Sequence, residues 1–235
     1  MQIKKHLPNA VTCCNLLSGA VAVMLAAGGE FRLAFLFILL GAAFDFCDGL
    51  TARALHVSSN IGKELDSLAD CITFGLAPSV MLMQAVRLNT AQSNYEWGWW
   101  AALALLMAAF SALRLAKFNV DERQTTSFIG LATPANAIFW ASLIAAFPQL
   151  VSYAMWVPIV LIVVMLLSCW LLVSEIPFFS LKFHNLTWAD NKVRFVFLIG
   201  SVVLVVLTAV LGHIWAAGAA VILWYITANL ISLCK

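Results

Sequence analysis

Four aspartates lie close together in a part of the sequence that is otherwise strongly apolar. They are Asp45, Asp48, Asp66 and Asp70. The first two are three residues apart and the last two are four residues apart, so each pair shares one face of a helix. Ionisable side chains in membrane-type helices are costly and are usually functional. Because four neighbouring carboxylates repel one another at low dielectric, protons or cations must compensate their charge.

The donor atoms of this cluster indicate which cations it would bind. Carboxylate oxygens without histidine or thiolate partners favour Mg²⁺, Mn²⁺ or Ca²⁺. Four carboxylates suffice for two divalent ions, and a two-metal site is the usual arrangement for in-line displacement at phosphorus. The six cysteines are scattered through apolar segments and form no CxxC pair, so we interpret them as small membrane-helix residues.

Small and basic residues next to the acids suit a bound phosphate. Gly49 follows Asp48 directly and Ala52 lies one turn further, which leaves a bare helix surface for a nucleotide. Arg53 lies near the predicted membrane–water boundary, where a guanidinium can bind phosphate. Gly62 removes bulk at the start of the next helix. For either glycine alone, close packing of membrane helices is the simpler interpretation; together with four acids we favour a nucleotide site.

The composition predicts the elements that hold this cluster. The chain has 235 residues, of which 63% are hydrophobic and 10% charged, with a mean hydropathy of +0.97. Soluble domains are about half apolar and a quarter charged. We therefore predict a single all-α, polytopic membrane domain over residues 1–235. The net charge of +2 gives no reason to expect a nucleic-acid partner. We place eight spans at about 11–27, 33–56, 61–86, 97–118, 132–148, 154–174, 193–211 and 214–233.

The distribution of basic residues predicts the orientation. With both termini in the cytoplasm, only Arg32 and Arg87 of the 13 basic residues face outward, which follows the positive-inside rule. The second and third spans are joined by a short turn near Val57–Ile61 and must be antiparallel neighbours. At 1.5 Å per residue, all four carboxylates lie roughly 9–17 Å from the cytoplasmic helix ends. They can therefore form one cluster in the cytoplasmic half of the bilayer.

The complete pattern around the acids resembles the signature of the CDP-alcohol phosphatidyltransferase family. It reads Asp45-x2-Asp48-Gly49-x2-Ala52-Arg53-x8-Gly62-x3-Asp66-x3-Asp70. The resemblance implies a polytopic enzyme that transfers a phosphatidyl or similar group from a CDP-linked donor to an alcohol and releases CMP. By position, the four aspartates would hold two divalent cations, Mg²⁺ or Mn²⁺, and Asp70 would also be the general base. The implied CDP site consists of Asp48, Gly49, Ala52, Arg53, Gly62 and Asp66.

Other segments resemble bacterial, membrane-embedded phosphatidylserine synthases. This likeness implies CDP-diacylglycerol and L-serine as substrates in the inner membrane of a bacterium, with the active site facing the cytoplasm and a homodimer as a further expectation. Position 117 departs from that subfamily, which more often has arginine where this chain has Lys117. The segments are Pro8-Asn9-x2-Thr12-x2-Asn15-Leu16-x2-Gly19, Leu65–Pro78, Arg114–Asn119, Phe128–Pro134, Ile176–Lys182 and Tyr225–Asn229.

Two groups of residues are expected to contact the substrates. Serine needs a cation for its carboxylate and an acceptor for its ammonium, and Arg114, Lys117 and Asn119 lie at the cytoplasmic end of the fourth span. The alternative for the two basic residues is ordinary membrane anchoring. Asn9 and Thr12 are expected to touch the donor's phosphates, and the alternative for Asn9 is helix capping.

Three alternative functions compete with serine transfer. The first keeps the chemistry and changes the acceptor alcohol to glycerol phosphate or inositol phosphate. The second is an intramembrane prenyltransferase, which also uses aspartate clusters with Mg²⁺. The third is a cation transporter, although transporters usually distribute their acids along a pathway.

Overall fold

The computed structural model describes residues 3–57, 59–90, 97–121, 128–149, 156–179 and 187–233. Helices dominate these residues, and the prediction of an all-α polytopic protein is confirmed. The helices are α1 (Ile3–Ala27), α2 (Phe31–Ala54), α3 (Asn60–Asp70), α4 (Ala77–Thr90), α5 (Leu106–Val120), α6 (Thr133–Ala146), α7 (Val157–Val173), α8 (Trp188–Val210) and α9 (Ala217–Leu233).

Three segments of other helical types extend these elements. A π-helix, Cys71–Leu76, joins α3 to α4, so that Asn60–Leu88 forms one long rod. A 3-10 helix, Trp97–Leu105, leads into α5, and another, Ile214–Ala216, leads into α9. In a π-helix the hydrogen bonds run from i to i+5, which makes the turn wider than in an α-helix.

Six helical segments in the described part of the chain are long and apolar enough to cross a membrane. The fifth and sixth predicted spans correspond to α6 and α7, which have 14 and 17 residues. Fourteen residues cover only about 21 Å of a hydrocarbon layer about 30 Å thick. The six longer segments are His6–Ala27, Phe31–Ala54, Asn60–Leu88, Trp100–Val120, Asn191–Val210 and Ile214–Ser232.

A tight turn folds α1 and α2 into an antiparallel hairpin. Gly29 adopts a φ of +83°, a left-handed conformation that ends many helices. Its N–H donates to the Ala26 carbonyl at 3.0 Å, and the Glu30 N–H donates to the Leu25 carbonyl at 2.9 Å. These two bonds form the Schellman arrangement, and α1 then packs along α2.

The apolar core lies between α1, α2, α4 and α6. The largest side chain buried there, Trp140 of α6, donates its indole N–H to Ser168 Oγ at 3.0 Å. Phe74 of the π-helix and Met81 of α4 are also fully buried in this core. In contrast, α8 exposes most of its valine and leucine side chains, as expected for a surface in contact with lipid.

Two short strands join the segments that precede α6 and follow α7. β1 (Phe128–Ile129) pairs antiparallel with β2 (Pro177–Phe178). Gly130 follows β1 with a φ of +75°, and an added Cβ would lie 2.6 Å from the Leu172 carbonyl oxygen. Glycine is therefore required at this position by both backbone conformation and space.

Helix α9 fixes the β2 segment with side-chain hydrogen bonds, which we call the α9 clasp. Asn229 donates to the Pro177 carbonyl and accepts from the Phe179 N–H, each at 3.0 Å. The Tyr225 hydroxyl donates to the Phe179 carbonyl at 3.0 Å. The clasp satisfies backbone groups that a two-residue strand pair leaves free.

Candidate active site

The structure brings three of the four aspartates into one group. One carboxylate oxygen each from Asp45 and Asp48 of α2 and Asp66 of α3 lies within 4.8 Å of the other two. Asp45 and Asp66 also approach within hydrogen-bond distance of each other. Two carboxylates in contact need a shared proton or cation. The all-oxygen donor set suits a hard divalent cation.

The fourth aspartate, Asp70, lies outside this close group. It follows Asp66 by one helical turn and is buried. Its Oδ1 accepts a hydrogen bond from Asn15 Nδ2 of α1 at 3.1 Å. Asp70 is within electrostatic range of both Asp45 and Arg114 of α5. It therefore lies between the acidic group and the elements expected to bind the acceptor.

A side chain of α1 orients one member of the acidic group. The Thr12 hydroxyl lies 2.6 Å from Asp48 Oδ2 and 3.1 Å from the Pro8 carbonyl oxygen. The shorter contact is a charge-assisted hydrogen bond to a carboxylate. The sequence predicted that Thr12 contacts the donor's phosphates; here its hydroxyl supports a candidate metal ligand.

A cavity of about 290 Å³ opens beside the acidic group, between α1, α2 and the start of α3. It contains most of the residues expected to line a CDP site and several that the sequence did not single out. The lining residues are Pro8, Asn9, Thr12, Asp48, Gly49, Ala52, Val57, Ser59, Gly62, Lys63 and Asp66.

The start of α3 gives one wall of this cavity an affinity for anions. Ser59 caps the helix, because its Oγ accepts the Gly62 N–H at 3.0 Å. A Cβ added at Gly62 would lie 3.0 Å from both Ser59 Oγ and Asn9 Oδ1, so a larger residue would crowd the cavity. Lys63 lines the same wall. A helix N-terminus with a nearby lysine favours phosphate groups.

Arg53 and Lys63 both donate a hydrogen bond to a backbone carbonyl, and of the two only Lys63 is among the residues that line the cavity. Arg53 is exposed, donates its Nε–H to the Gly49 carbonyl at 3.1 Å and is not among the residues that line the cavity. Lys63 lines the cavity, although its charge was interpreted only as a sign of orientation. Its position directly after Gly62 and one turn before Asp66 is the signal that could have identified it.

Of the three residues expected to bind the acceptor, Arg114 has the most informative environment. It is only 7% exposed, which excludes a simple anchoring role at the membrane surface. Its Nε–H donates to the Leu131 carbonyl at 2.8 Å, and its guanidinium carbon lies 5.7 Å from the ring centroid of Phe118. Buried arginine inside a membrane helix indicates a functional role.

The other two acceptor candidates lie in different environments. Lys117 and Arg114 line one narrow cleft against the end of α7, and Lys117 Nζ lies 3.6 Å from a Glu175 carboxylate oxygen. Asn119 instead contacts α3, because its Nδ2 donates to Ser67 Oγ at 2.8 Å. Its carbonyl accepts from Lys63 Nζ at 2.9 Å. The structure brings Arg114 and Lys117 together and separates Asn119 from them.

Close packing around Thr73 supports the site and was missed by the sequence analysis. The Thr73 hydroxyl donates to the Asn15 carbonyl at 3.1 Å, on the helix that also carries the partner of Asp70. A Cβ added at Gly19 would lie 2.8 Å from Thr73 Cα, and one at Gly41 would lie 2.5 Å from Thr73 Cγ2. The signal was present in the sequence as small residues on α1 and α2, which permit close approach of membrane helices.

Comparison with known proteins identifies the family of this chain. A profile of the CDP-alcohol phosphatidyltransferase family matches residues 5–167. The chain belongs to that family. Family membership leaves no basis for the prenyltransferase and transporter alternatives. The matched region includes the acidic group, the residues that line the cavity and the N-terminus of α3.

The chain is similar to several curated CDP-diacylglycerol–serine O-phosphatidyltransferases. It is 37% identical to the Bacillus subtilis protein over 129 residues, which is 55% of this chain and 70% of the relative. It is 33% identical to the Helicobacter pylori protein over 133 residues, 56% of this chain and 54% of the relative. It is 34% identical to the Methanocaldococcus jannaschii protein over 142 residues, 60% of each chain. The chain thus spans between about half and two-thirds of most of these relatives.

Proposed function

We propose that the protein transfers the phosphatidyl group of CDP-diacylglycerol to the hydroxyl group of L-serine, which gives phosphatidylserine and CMP. The observation that carries the proposal is the cavity in which carboxylates of Asp48 and Asp66 face the N-terminus of α3 and Lys63. This arrangement offers cation ligands and an anion site side by side, as a metal-bound diphosphate requires. The names of the three relatives favour serine as the acceptor.

We propose that two divalent cations, Mg²⁺ or Mn²⁺, are held by Asp45, Asp48, Asp66 and Asp70. Two features of the structure support Asp45, Asp48 and Asp66 as ligands: the short distances within the three-carboxylate group, and Asp66 Oδ1, which is buried without a hydrogen-bond partner among the described residues. Asp70 is included as a weaker ligand because of its place in the family signature. When bound, the cations would supply the charge that neutralises the diphosphate and the departing CMP.

The lining residues indicate how the donor would bind in the cavity. Its diphosphate lies against the N-terminus of α3 and Lys63, while its acyl chains remain in lipid. Gly49 and Ala52 leave room for the nucleotide on the α2 wall, and Asn9 contributes a polar side chain on the α1 wall. Arg53 binds the Gly49 carbonyl through its Nε–H, which leaves its terminal N–H groups to donate to the phosphates.

In the proposed reaction, the serine hydroxyl oxygen attacks the phosphorus next to the diacylglycerol group. A new P–O bond forms as the bond to the bridging oxygen breaks, and CMP leaves with that electron pair. The hydroxyl proton goes to Asp70, directly or through a water molecule. Its position outside the close carboxylate group suits this role, because strong metal coordination makes a carboxylate a weaker base. Asn15 holds the Asp70 carboxylate in place.

We propose that the active site faces the cytoplasm in a bacterial inner membrane, with both termini inside. The charge bias supports this orientation, since Arg32 and Arg87 alone among the basic residues fall on the outer side. A homodimer stays a prediction. Reaction of single introduced cysteines with a membrane-impermeant maleimide in sealed cells tests the orientation; labelling of the α3 N-terminus from outside would contradict it.

The decisive experiment feeds alternative alcohols to the purified protein. CDP-diacylglycerol is supplied with L-serine, glycerol 3-phosphate or inositol phosphate, and CMP release is measured with Mg²⁺ or Mn²⁺. We expect release with serine, its loss on addition of a chelator, and recovery when the metal is restored. Release with a phosphorylated alcohol and not with serine would replace the proposed acceptor.

A further inference from the structure

A second group of buried polar side chains lies on α5 and α6, outside the cavity described above. Ser111, Thr133 and Asn136 are each 0% exposed. Ser111 Oγ, Thr133 Oγ1 and both amide atoms of Asn136 have no hydrogen-bond partner among the described residues. Buried polar atoms are nearly always paired in native proteins. Four such atoms on two packed helices therefore indicate a missing polar partner.

The path from Asp70 to this cluster runs along the π-helix. Residue i+5 of a π-helix lies one turn above residue i, so Gly75 follows Asp70 on the same side of the rod. A Cβ added at Gly75 would lie 3.1 Å from Ser111 Cβ and 3.6 Å from Ser111 Oγ. The rod and α5 therefore touch at Gly75, and Ser111 lies about one turn away from the proposed general base.

Arg114 connects the same region to α6. It is three residues after Ser111 and shares its face of α5. Its Nε–H donates to the carbonyl of Leu131, two residues before Thr133. Thr133 and Asn136 are three residues apart on the first turn of α6 and share a face as well. Arg114 thus shares its face of α5 with Ser111, bonds to the segment just before Thr133, and is itself within electrostatic range of Asp70.

We propose that Ser111, Thr133 and Asn136, together with Arg114, form the subsite that binds the ammonium and carboxylate groups of the acceptor and so determine specificity. This inference rests on the proposed function. The two hydroxyl oxygens and Asn136 Oδ1 can accept hydrogen bonds from an ammonium group, while Arg114 and Asn136 Nδ2 can donate to a carboxylate.

The charge of the subsite distinguishes between classes of alcohol. Of the four proposed side chains only that of Arg114 is charged, and the nearby Lys117 pairs with Glu175 at 3.6 Å. One guanidinium balances a single carboxylate, and the neutral groups leave acceptors for an ammonium. A phosphorylated alcohol carries a nearly dianionic group that favours several cations and has no ammonium to satisfy the acceptors. The subsite therefore fits a zwitterionic amino acid with a side-chain hydroxyl group and disfavours a sugar or glycerol phosphate.

The first experiment separates acceptor binding from donor binding. Thr133→Val keeps the shape of the side chain and removes its hydroxyl, and Asn136→Leu removes both amide groups at similar size. In the full-length protein we expect the KM for serine to rise on the order of tenfold or more, while the KM for CDP-diacylglycerol stays unchanged. Ser168→Ala is the matched control, since that buried hydroxyl already binds Trp140 and Met165; it leaves the serine KM unchanged.

The second experiment separates a ligand-binding role from the binding of a structural water molecule. 3-Hydroxypropionate is serine without its ammonium group, so the wild-type protein should use it much less well than serine. We expect Asn136→Leu to reduce the ratio of kcat/KM for the two alcohols on the order of tenfold. Loss of a structural water would lower both values together and leave the ratio unchanged.

Different results would contradict the proposed subsite and the proposed function. A wild-type protein that uses no serine contradicts the proposed function. A wild-type protein that uses serine, with folded variants whose serine KM and substrate ratio are unchanged, contradicts only the subsite. If Asn136→Leu does not fold, the isosteric Thr133→Val decides by the same two measurements.

Discussion

The hydroxyl of Thr12 lies 2.6 Å from Oδ2 of Asp48, so a side chain of α1 fixes the orientation of a candidate metal ligand on α2. The contact links the two helices of the N-terminal hairpin at the point where they enclose the cavity. Hydrogen bonds to ligating carboxylates set both the direction of their lone pairs and their affinity for metal.

Replacement of this hydroxyl should weaken metal binding. We expect Thr12→Val to raise the Mg²⁺ concentration for half-maximal CMP release by about 10–100-fold, because Asp48 loses its orienting donor. Titration of activity with Mg²⁺ measures the change. Thr12→Ser keeps the donor and is the matched control; a valine variant with wild-type metal dependence would show that Thr12 has no such role.

Replacement of the proposed base should stop transfer without emptying the metal site. For Asp70→Asn we expect CMP release to fall by about 10²–10⁴-fold, while Mn²⁺ still binds at Asp45, Asp48 and Asp66. Electron paramagnetic resonance of bound Mn²⁺ measures the second property independently of activity. Substantial residual transfer in this variant would assign the proton to another group.

Lys63 should contribute to donor binding. We expect Lys63→Met to raise the KM for CDP-diacylglycerol by about 10–100-fold, because a phosphate-binding charge-assisted contact contributes about 1.5–3 kcal/mol. Lys117→Met is the control, since Lys117 lies in the cleft against α7 and not in the donor cavity. An equal increase of the donor KM in both variants would indicate a general effect of surface charge.

The contact between α1 and the π-helix leaves no room for a methyl group. In Gly19→Ala the new Cβ would lie 2.8 Å from Thr73 Cα, and a backbone atom cannot rotate away. We expect a loss of about 1–3 kcal/mol in stability, measured as a lower melting temperature in detergent, together with lower activity. Gly28→Ala is the control, because its nearest neighbour lies 3.4 Å away.

The α9 clasp should protect the β2 segment from local opening. We expect Asn229→Leu to increase hydrogen exchange at the Phe179 amide, which loses its acceptor. Thr227→Val is the control, since that exposed hydroxyl binds only carbonyls of its own helix. Unchanged exchange at Phe179 would mean that the strand pair holds the segment without the clasp.

Local sequence patterns predicted the features that depend on helical periodicity. The spacing of the four aspartates on the second and third helices predicted one cluster; the structure places the carboxylates of Asp45, Asp48 and Asp66 together and Asp70 outside that group. The short connection predicted that these two helices are direct neighbours, whereas α3 packs mainly against α1 and touches α2 only weakly. The patterns overestimated the lengths of the fifth and sixth spans, because the ends of apolar runs were counted as helix where backbone pairing and turns take over.

Features that depend on side-chain direction or on distant contacts were beyond sequence reasoning. No spacing rule distinguishes an Arg53 that bonds to its own helix from one that enters a cavity. The approach of Ser111 to Gly75 likewise depends on how three separate elements pack. Burial of Arg114 could not be distinguished from membrane anchoring, since both place arginine near a helix end.

Because of the π-helix at Cys71–Leu76, the number of residues in this segment determines how α3 is rotated relative to α4. Each residue of an α-helix rotates the chain by about 100° about the helix axis. The wider π-helical turn contains one residue more than an α-helical turn, and it lies between the acids of α3 and the apolar face of α4. Deletion of one residue there would restore an ordinary helix and swing Asp66 and Asp70 away from α2 while every amino-acid type was kept. Gain or loss of a single position in this stretch would therefore disturb the acidic group even where the close contacts of Thr73 and Gly75 were kept.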